Sequence, residues 1–297
     1  MLRGLREVAD DLASRWHIPF FLLRDAPAAE LLAKFAAEHR VSHLVADFSP
    51  LREGREWREA VVRAMPATTS VHEVDAHNVV PCWFASDKQE WMAKTIRPKI
   101  EGNLTRFLTD FPAQPLPPPS TAFPAAAPPI DWATLMQQVE SLCDRSVAPI
   151  AWRTPGMAAA TAAMDEFVMN RLRAYGDTRN TPSSAGGGTS GLSPYLHYGQ
   201  LGAQRLAYAA RRAHQPGSPA FIEELVVRRE LSDNYCFYNA RYDQFDGLPA
   251  WAQQSLRQHA KDKREYLYTL EQLEHGLTHD NAWNAAQREL LHLGKIQ

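Results

Sequence analysis

The sequence predicts an α/β domain, without its usual first strand, followed by an all-α domain whose C-terminal part is missing. Three observations carry this. Residues 1–110 alternate helical spacing with short apolar runs, a proline-dense stretch follows, and residues 131–293 are helical in pattern nearly throughout. The division is residues 1–110, a linker over 111–130, and residues 131–297.

Leu5, Val8 and Leu12 put Met1–Arg15 in a helix. Ile18–Leu23 is an apolar run of strand length. Pro27 stands near the first turn of an amphipathic helix over Ala28–His39. His43–Phe48 reads as a strand, Leu51–Met65 as a helix and Val71–Val74 as a third strand, the rhythm of a parallel sheet covered by helices. A doubly wound sheet builds outward from its first strand, yet here a helix comes first. The chain is therefore expected to begin inside a longer protein.

Between Asp110 and Pro129 stand Pro112, Pro115, Pro117, Pro118, Pro119, Pro124, Pro128 and Pro129. Neither a helix nor a central strand tolerates that density, so the segment reads as an extended linker. Beyond it, Asp131 is a candidate N-cap for Trp132–Cys143. Met164, Val168 and Leu172 place Met157–Ala174 in one helix, and Leu201–Arg212 and Phe221–Tyr238 follow. Leu256–Leu273 forms one or two helices and Asn281–Leu293 a last one. The helical domain looks unfinished at Gln297.

With 22% charged and 45% hydrophobic residues and a formal net charge of −2, the chain is not a generally basic nucleic-acid binder, although a local basic groove is compatible with that total. No run of about 18 apolar residues occurs, and no signal peptide is evident in an N-terminus that carries Arg3, Arg6, Glu7, Asp10 and Asp11. Cys82, Cys143 and Cys236 lie far apart without zinc spacing, as reduced thiols of a cytoplasmic protein would. His39/His43 and His275/His279 have HxxxH spacing but no continuous helix to align them, so no metal site is expected.

The chemistry concentrates between Tyr175 and Glu230. Ser193-Pro194 is a helix start, with hydroxyls at Thr189, Ser190 and Ser193 and a close-approach glycine at Gly191, a setting that suits a phosphate. The Gly186-Gly187-Gly188 run is no dinucleotide fingerprint and reads as a loop. On Phe221–Tyr238, Glu224 and Arg228 have i,i+4 spacing, with Glu223 turned about 100° from Glu224. A carboxyl beside an apolar face moves toward its neutral form and can then donate a hydrogen bond.

Tyr175 and Arg179 followed by Thr189-Ser190-Gly191-Leu192-Ser193-Pro194 resemble the flavin-binding core of DNA photolyases. Glu224 to Asn234, Lys261 to Tyr268, Thr278 to Gln287, Pro81-Cys82-Trp83 and Ser86 to Glu90 resemble the class II cyclobutane-dimer branch, and the resemblance covers nearly the whole chain. It implies a Rossmann-like antenna-type domain, an FAD-binding helical domain, and light-driven repair of cyclobutane pyrimidine dimers by electron transfer from reduced FAD (deoxyribodipyrimidine photo-lyase). Cofactor contacts would come from Tyr175, Thr189, Ser190, Gly191, Leu192 and Ser193. Glu224 would donate to the damaged base, Trp283 with Tyr268 nearby would relay electrons, and Arg179, Arg228 and Arg229 would meet DNA phosphates. Arg179 serves either DNA or flavin phosphate. A deazaflavin antenna, UV-damaged DNA as partner, no membrane and a monomer complete the expectation. The alternatives are a cryptochrome-like light sensor and an inactive photolyase fragment.

Overall fold

The computed structural model describes residues 1–113, 127–144, 146, 148–181 and 188–296. Helix α1 (Leu2–Asp11) runs into a wider, π-type turn, Leu12–Trp16, which His17 ends in the left-handed conformation. After α2 (Ala28–Glu38) come β1 (His43–Asp47), α3 (Arg52–Ala64) and β2 (Ser70–Val74). The two strands pair in parallel, from His43 opposite Ser70 to Asp47 opposite Val74. Period-two patterning half-buries Leu44, Ala46, Val71 and Glu73 and exposes the alternate residues.

The sheet has two strands among the described residues, not the three expected. Ile18–Leu23 forms no strand. A strand needs a neighbour to satisfy its backbone, and β1 and β2 bond each other. The run instead lays Phe21 edge-on against Phe35 of α2 (centroids 4.9 Å apart) and Phe20 near Trp132 (6.2 Å).

The rest is helical: α4 (Cys82–Ala85), α5 (Ala93–Phe107), α6 (Trp132–Leu142), α7 (Met157–Glu166), α8 (Tyr175–Thr178), α9 (Ser193–His197), α10 (Ala203–Arg212), α11 (Ser218–Ile222), α12 (Arg229–Tyr238), α13 (Ala250–His259), α14 (Leu270–Glu274) and α15 (Asn281–Leu293). Asp131 caps α6 as expected, accepting from Thr134 N at 3.0 Å. Asp280 caps α15, and Gly294 ends it at φ 64°. Of the expected linker, residues 111–113 and 127–130 are non-helical; Pro115, Pro117, Pro118, Pro119 and Pro124 lie outside the described residues, as do Gly186 and Gly187.

Met157–Ala174 is not one regular helix. A π-type turn, Phe167–Arg171, and a 3-10 turn, Leu172–Ala174, join α7 to α8. The buried positions are Ala160, Met164, Phe167, Leu172 and Tyr175. The step of five from Phe167 to Leu172 is the residue that the wide turn absorbs, and it makes Phe167, rather than the four-spaced Val168, the core residue. A second such turn, Glu223–Arg228, joins α11 to α12.

The core gathers Val80, Ile96, Ile100, Phe167, Leu172, Leu192, Leu206 and Val226, all fully buried. Phe167, Tyr175 and Phe221 meet within it at 4.8–5.8 Å between ring centroids.

A polar stripe on α12 fastens residues 75–90 to the helices. Glu230 accepts from Val79 N (2.6 Å) and Val80 N, Asn234 bonds Glu90 N and Lys88 O, and Tyr238 donates to Ser86 O. These three stand four residues apart, hence on one face. Burial pushes the Glu230 carboxyl up to about 8, against the backbone N–H groups and Arg229, which pull it down. His77, bonded to Asp233, is raised too.

Both shifts have the same consequence. A folded-state value above the unfolded one gives stability that is complete below the unfolded value and lost as pH rises through the folded one. The melting temperature of the wild type is therefore expected to fall between pH 5 and pH 9. Glu230→Gln, which cannot ionise, is expected to flatten that fall. Parallel thermal-melt profiles of the two proteins check it, and identical slopes would count against the buried acid.

Candidate functional site

Arg171, Tyr175 and Arg179 follow at four-residue intervals along the irregular stretch from Phe167 to the end of α8, and each reaches a different part of the predicted site. Arg171 donates to Thr189 O (3.0 Å) and Ser190 O (3.2 Å), while Glu166 holds it at 2.7 Å. Its guanidinium lies over the Phe167 ring, 5.3 Å from the centroid. The Arg171 hydrogen bond keeps the Glu166 carboxyl below its ordinary value. Arg153 Nε takes the next carbonyl, Gly191 O, at 3.0 Å. Two arginines thus clasp the backbone of residues 189–191 from outside and leave the Thr189 side chain exposed.

Tyr175 is buried, edge-on to Phe167 and Phe221. Burial raises its phenol, as does the nearby Glu224 charge, while Arg179 opposes them. Arg179 Nη1 meets Glu224 Oε1 at 2.5 Å. The turn touches this arginine's own backbone. A Cβ on Gly188 would stand 1.9 Å from Thr178 O and 2.6 Å from Arg179 N, so only glycine permits that approach. Gly191 takes φ 65°, the left-handed region that glycine enters freely. Tyr175, Arg179, Glu224 and the start of the 188–193 turn are therefore one cluster.

Four expectations change in detail. Ser193 does not cap α9: it is the first helical residue, exposed, and its hydroxyl makes no cap bond. Leu192 is fully buried and anchors the turn in the core, with its N–H on Ser190 Oγ and its carbonyl accepting from Tyr195 N and Leu196 N. Glu224 does not pair with Arg228. In the wide turn, neighbours fall at i,i+5, so Arg228 Nε meets Glu223 Oε1 at 2.9 Å, and Arg97 holds Glu223 from α5 at 2.7 Å. Glu224 instead pairs with Arg179. Arg229, predicted to meet DNA, is engaged inside the protein, with Nε on Leu225 O and Nη2 on His77 O. Arg228 is exposed.

Tyr268 and Trp283 lie at a separate junction, on either side of His279 and Asp280. Tyr268 hydrogen-bonds the His279 ring and accepts from His279 N; the adjacent Asp280 caps α15 through Ala282 N and Trp283 N. Trp283 is half exposed. Residues 152–154 connect this helix to the turn: Trp152 Nε1 donates to Leu293 O (2.7 Å), Arg153 to Gly191 O, and Tyr195 donates to Thr154 O (2.8 Å). A surface cavity of about 530 Å3 opens elsewhere, lined by Leu104, Leu108, Ile222, Val227, Arg211 and Glu223 among others, and includes none of the predicted cofactor residues.

Sequence reasoning missed Arg153, Arg171 and the Glu230–Asn234–Tyr238 stripe. The four-residue interval from Arg171 to Tyr175 was a readable signal. Arg153, in an irregular segment, offered none.

The donor set suits a phosphorylated cofactor: hydroxyls at Thr189, Ser190 and Ser193 and a glycine in the left-handed region at 191. Among the described residues no group of three metal-ligating side chains is found, and no helix is long and apolar enough to cross a membrane.

The profile of the DNA photolyase family matches residues 1–120. Along its whole length the chain is 45% identical to the deoxyribodipyrimidine photo-lyases of Potorous tridactylus and Arabidopsis thaliana, of which it spans 55% and 60%. A bacterial class III photolyase from Agrobacterium tumefaciens superposes on 99% of the chain with a TM-score of 0.69 at 18% identity, the chain spanning 59% of it; that likeness concerns the fold. An α/β start, a helical body and 45% identity along this chain to two photo-lyases lead to one assignment: the chain belongs to the photolyase/cryptochrome family.

Proposed function

We propose that the protein this chain represents is a class II deoxyribodipyrimidine photo-lyase, which binds FAD and splits cyclobutane pyrimidine dimers in UV-damaged DNA under light. The observation that supports this best is that Arg179 joins the 188–193 turn, through its backbone, to Glu224, through its side chain. In this reading residues 1–110 are the antenna-type domain and residues 131–297 the FAD-binding one.

The chain's residues would divide the work as follows. Thr189, Ser190 and Ser193 offer hydroxyls to the flavin's diphosphate, with Gly191 and the Leu192 backbone shaping the turn. Tyr175 closes the apolar side. Reduced FAD, when bound, supplies the electron that opens the dimer's ring under light. Glu224 would turn toward the flipped-out dimer and offer its carboxyl as a hydrogen-bond partner where negative charge develops. Arg228, exposed, is the candidate for strand phosphates, with Arg179. Trp283 on α15 and Tyr268 in the loop before α14 are proposed as the electron-relay pair.

The test is to titrate the purified chain with FAD, follow bound-flavin absorbance and melting temperature, and then assay a dimer-bearing oligonucleotide under near-UV or blue light. Bound flavin, a raised melting temperature and restored thymines are expected. A chain that takes up no flavin overturns the reading; flavin without repair points to a cryptochrome-like sensor. The same titration with a deazaflavin tests the accessory antenna.

A further inference from the structure

We propose that Arg179 and Glu224 form an exchangeable latch: an incoming phosphate takes the guanidinium from Glu224, and only then is the carboxyl released toward the base. This deepens the proposed repair function and rests on that reading for Glu224's role.

Two demands on Glu224 conflict. An acid that is to donate a hydrogen bond must be protonated and free, yet Glu224 is bound to Arg179 at 2.5 Å. Both side chains are about one-third exposed, 29% and 33%, so a ligand can reach the pair from solvent. Its neighbour Glu223 is not available for such a role, since Arg97 from α5 and Arg228 both hold it. The wide turn sends the two adjacent acids to different partners, one fixed from two sides and one held by an arginine at the mouth of the predicted site.

The exchange is physically even-handed. A carboxylate and a phosphate both bind a guanidinium through two oxygens, and a phosphate carries at least as much charge. A partly exposed ion pair is worth little, so its replacement costs little. The displaced carboxyl is then left near buried Tyr175 without its counter-charge, free to turn toward the base. Arg179 thereby acts as a positioning residue, reporting phosphate occupancy to Glu224. The phosphate belongs to a DNA strand or to the dinucleotide, and the two arms of the test separate them.

The experiment is a dark, flavin-free binding titration at low ionic strength. An undamaged single-stranded oligonucleotide serves in one arm and ADP in the other. The proteins are the wild type, Glu224→Gln, Arg179→Gln and the double variant, each checked for folding by circular dichroism. Removing the competing carboxylate is expected to tighten the relevant probe about two- to fivefold. That gain is expected to vanish in the Arg179→Gln background, which sets it apart from a change of net charge. Where Arg179→Gln fails to fold, Arg179→Lys keeps the charge and is expected to keep a gain from Glu224→Gln.

Tightening of either probe supports the latch and names the phosphate's source. No tightening of either probe by Glu224→Gln, or an equal gain without the arginine, overturns it. Because neither flavin nor light is used, a chain that repairs nothing can still show the exchange, and a chain that repairs dimers can still fail to show it.

Discussion

Phe167→Ala is expected to lower the unfolding free energy by about 3–5 kcal/mol, the usual cost of removing a buried phenylalanine. The ring is fully buried. It packs against Phe221 at 4.8 Å and Tyr175 at 5.8 Å, and it carries the Arg171 guanidinium at 5.3 Å. Truncation thus leaves a cavity and removes two aromatic contacts and a cation–π contact together. Val168→Ala is the control. In a regular helix Val168 would hold the core position; here it is only partly buried, and its truncation is expected to cost about 1 kcal/mol. Urea unfolding of both variants decides the matter. Equal losses would mean that the wide turn does not set the register.

The second large effect concerns the clasp on the turn. Arg171→Ala is expected to weaken FAD binding about 10- to 100-fold. The guanidinium makes two charge-assisted bonds, to Thr189 O and Ser190 O, each worth roughly 1.5–3 kcal/mol, and about 1.4 kcal/mol is tenfold in affinity. Its loss lets residues 189–190 move, so the hydroxyls that would face a diphosphate are no longer held in place. Flavin titration by absorbance measures this directly. Glu166→Gln, which weakens only the outer support of Arg171, is expected to fall between the two. Unchanged affinity in Arg171→Ala would show that the clasp positions nothing.

Much of this was legible in the letters because local chemistry fixed it. The Asp131 cap, the β1–α3–β2 unit and helix α15 follow from short-range patterns, and the structure has them within a residue or so of the expected bounds. The failures share a cause. Ile18–Leu23 has strand composition, but pairing is a long-range property, and no pattern inside the run says whether a neighbour waits for it. The π-type turns at residues 167–171 and 223–228 hide because a spacing of four, Met164–Val168–Leu172 or Glu224–Arg228, is as good a helical signal as the spacing of five that prevails. The buried Glu230 was passed over for a related reason. In sequence it is one more acid in a charged run, and only the loop at residues 79–80 folding onto it makes it interior. At the candidate site, Tyr175, Arg179 and the 189–193 turn were read from the family resemblance. That Glu224 would be paired with Arg179 was not, since the two are 45 residues apart.

The wide turn at residues 223–228 makes the pitch of that segment a constraint in its own right. Drawing these six residues into ordinary helical pitch, with none removed, would rotate everything downstream by about 100°. Glu230, Asn234 and Tyr238 would swing away from residues 79–90 together, although none of them had been altered. Most substitutions in this stretch disturb one contact at a time; a change of pitch would break the whole seam at once.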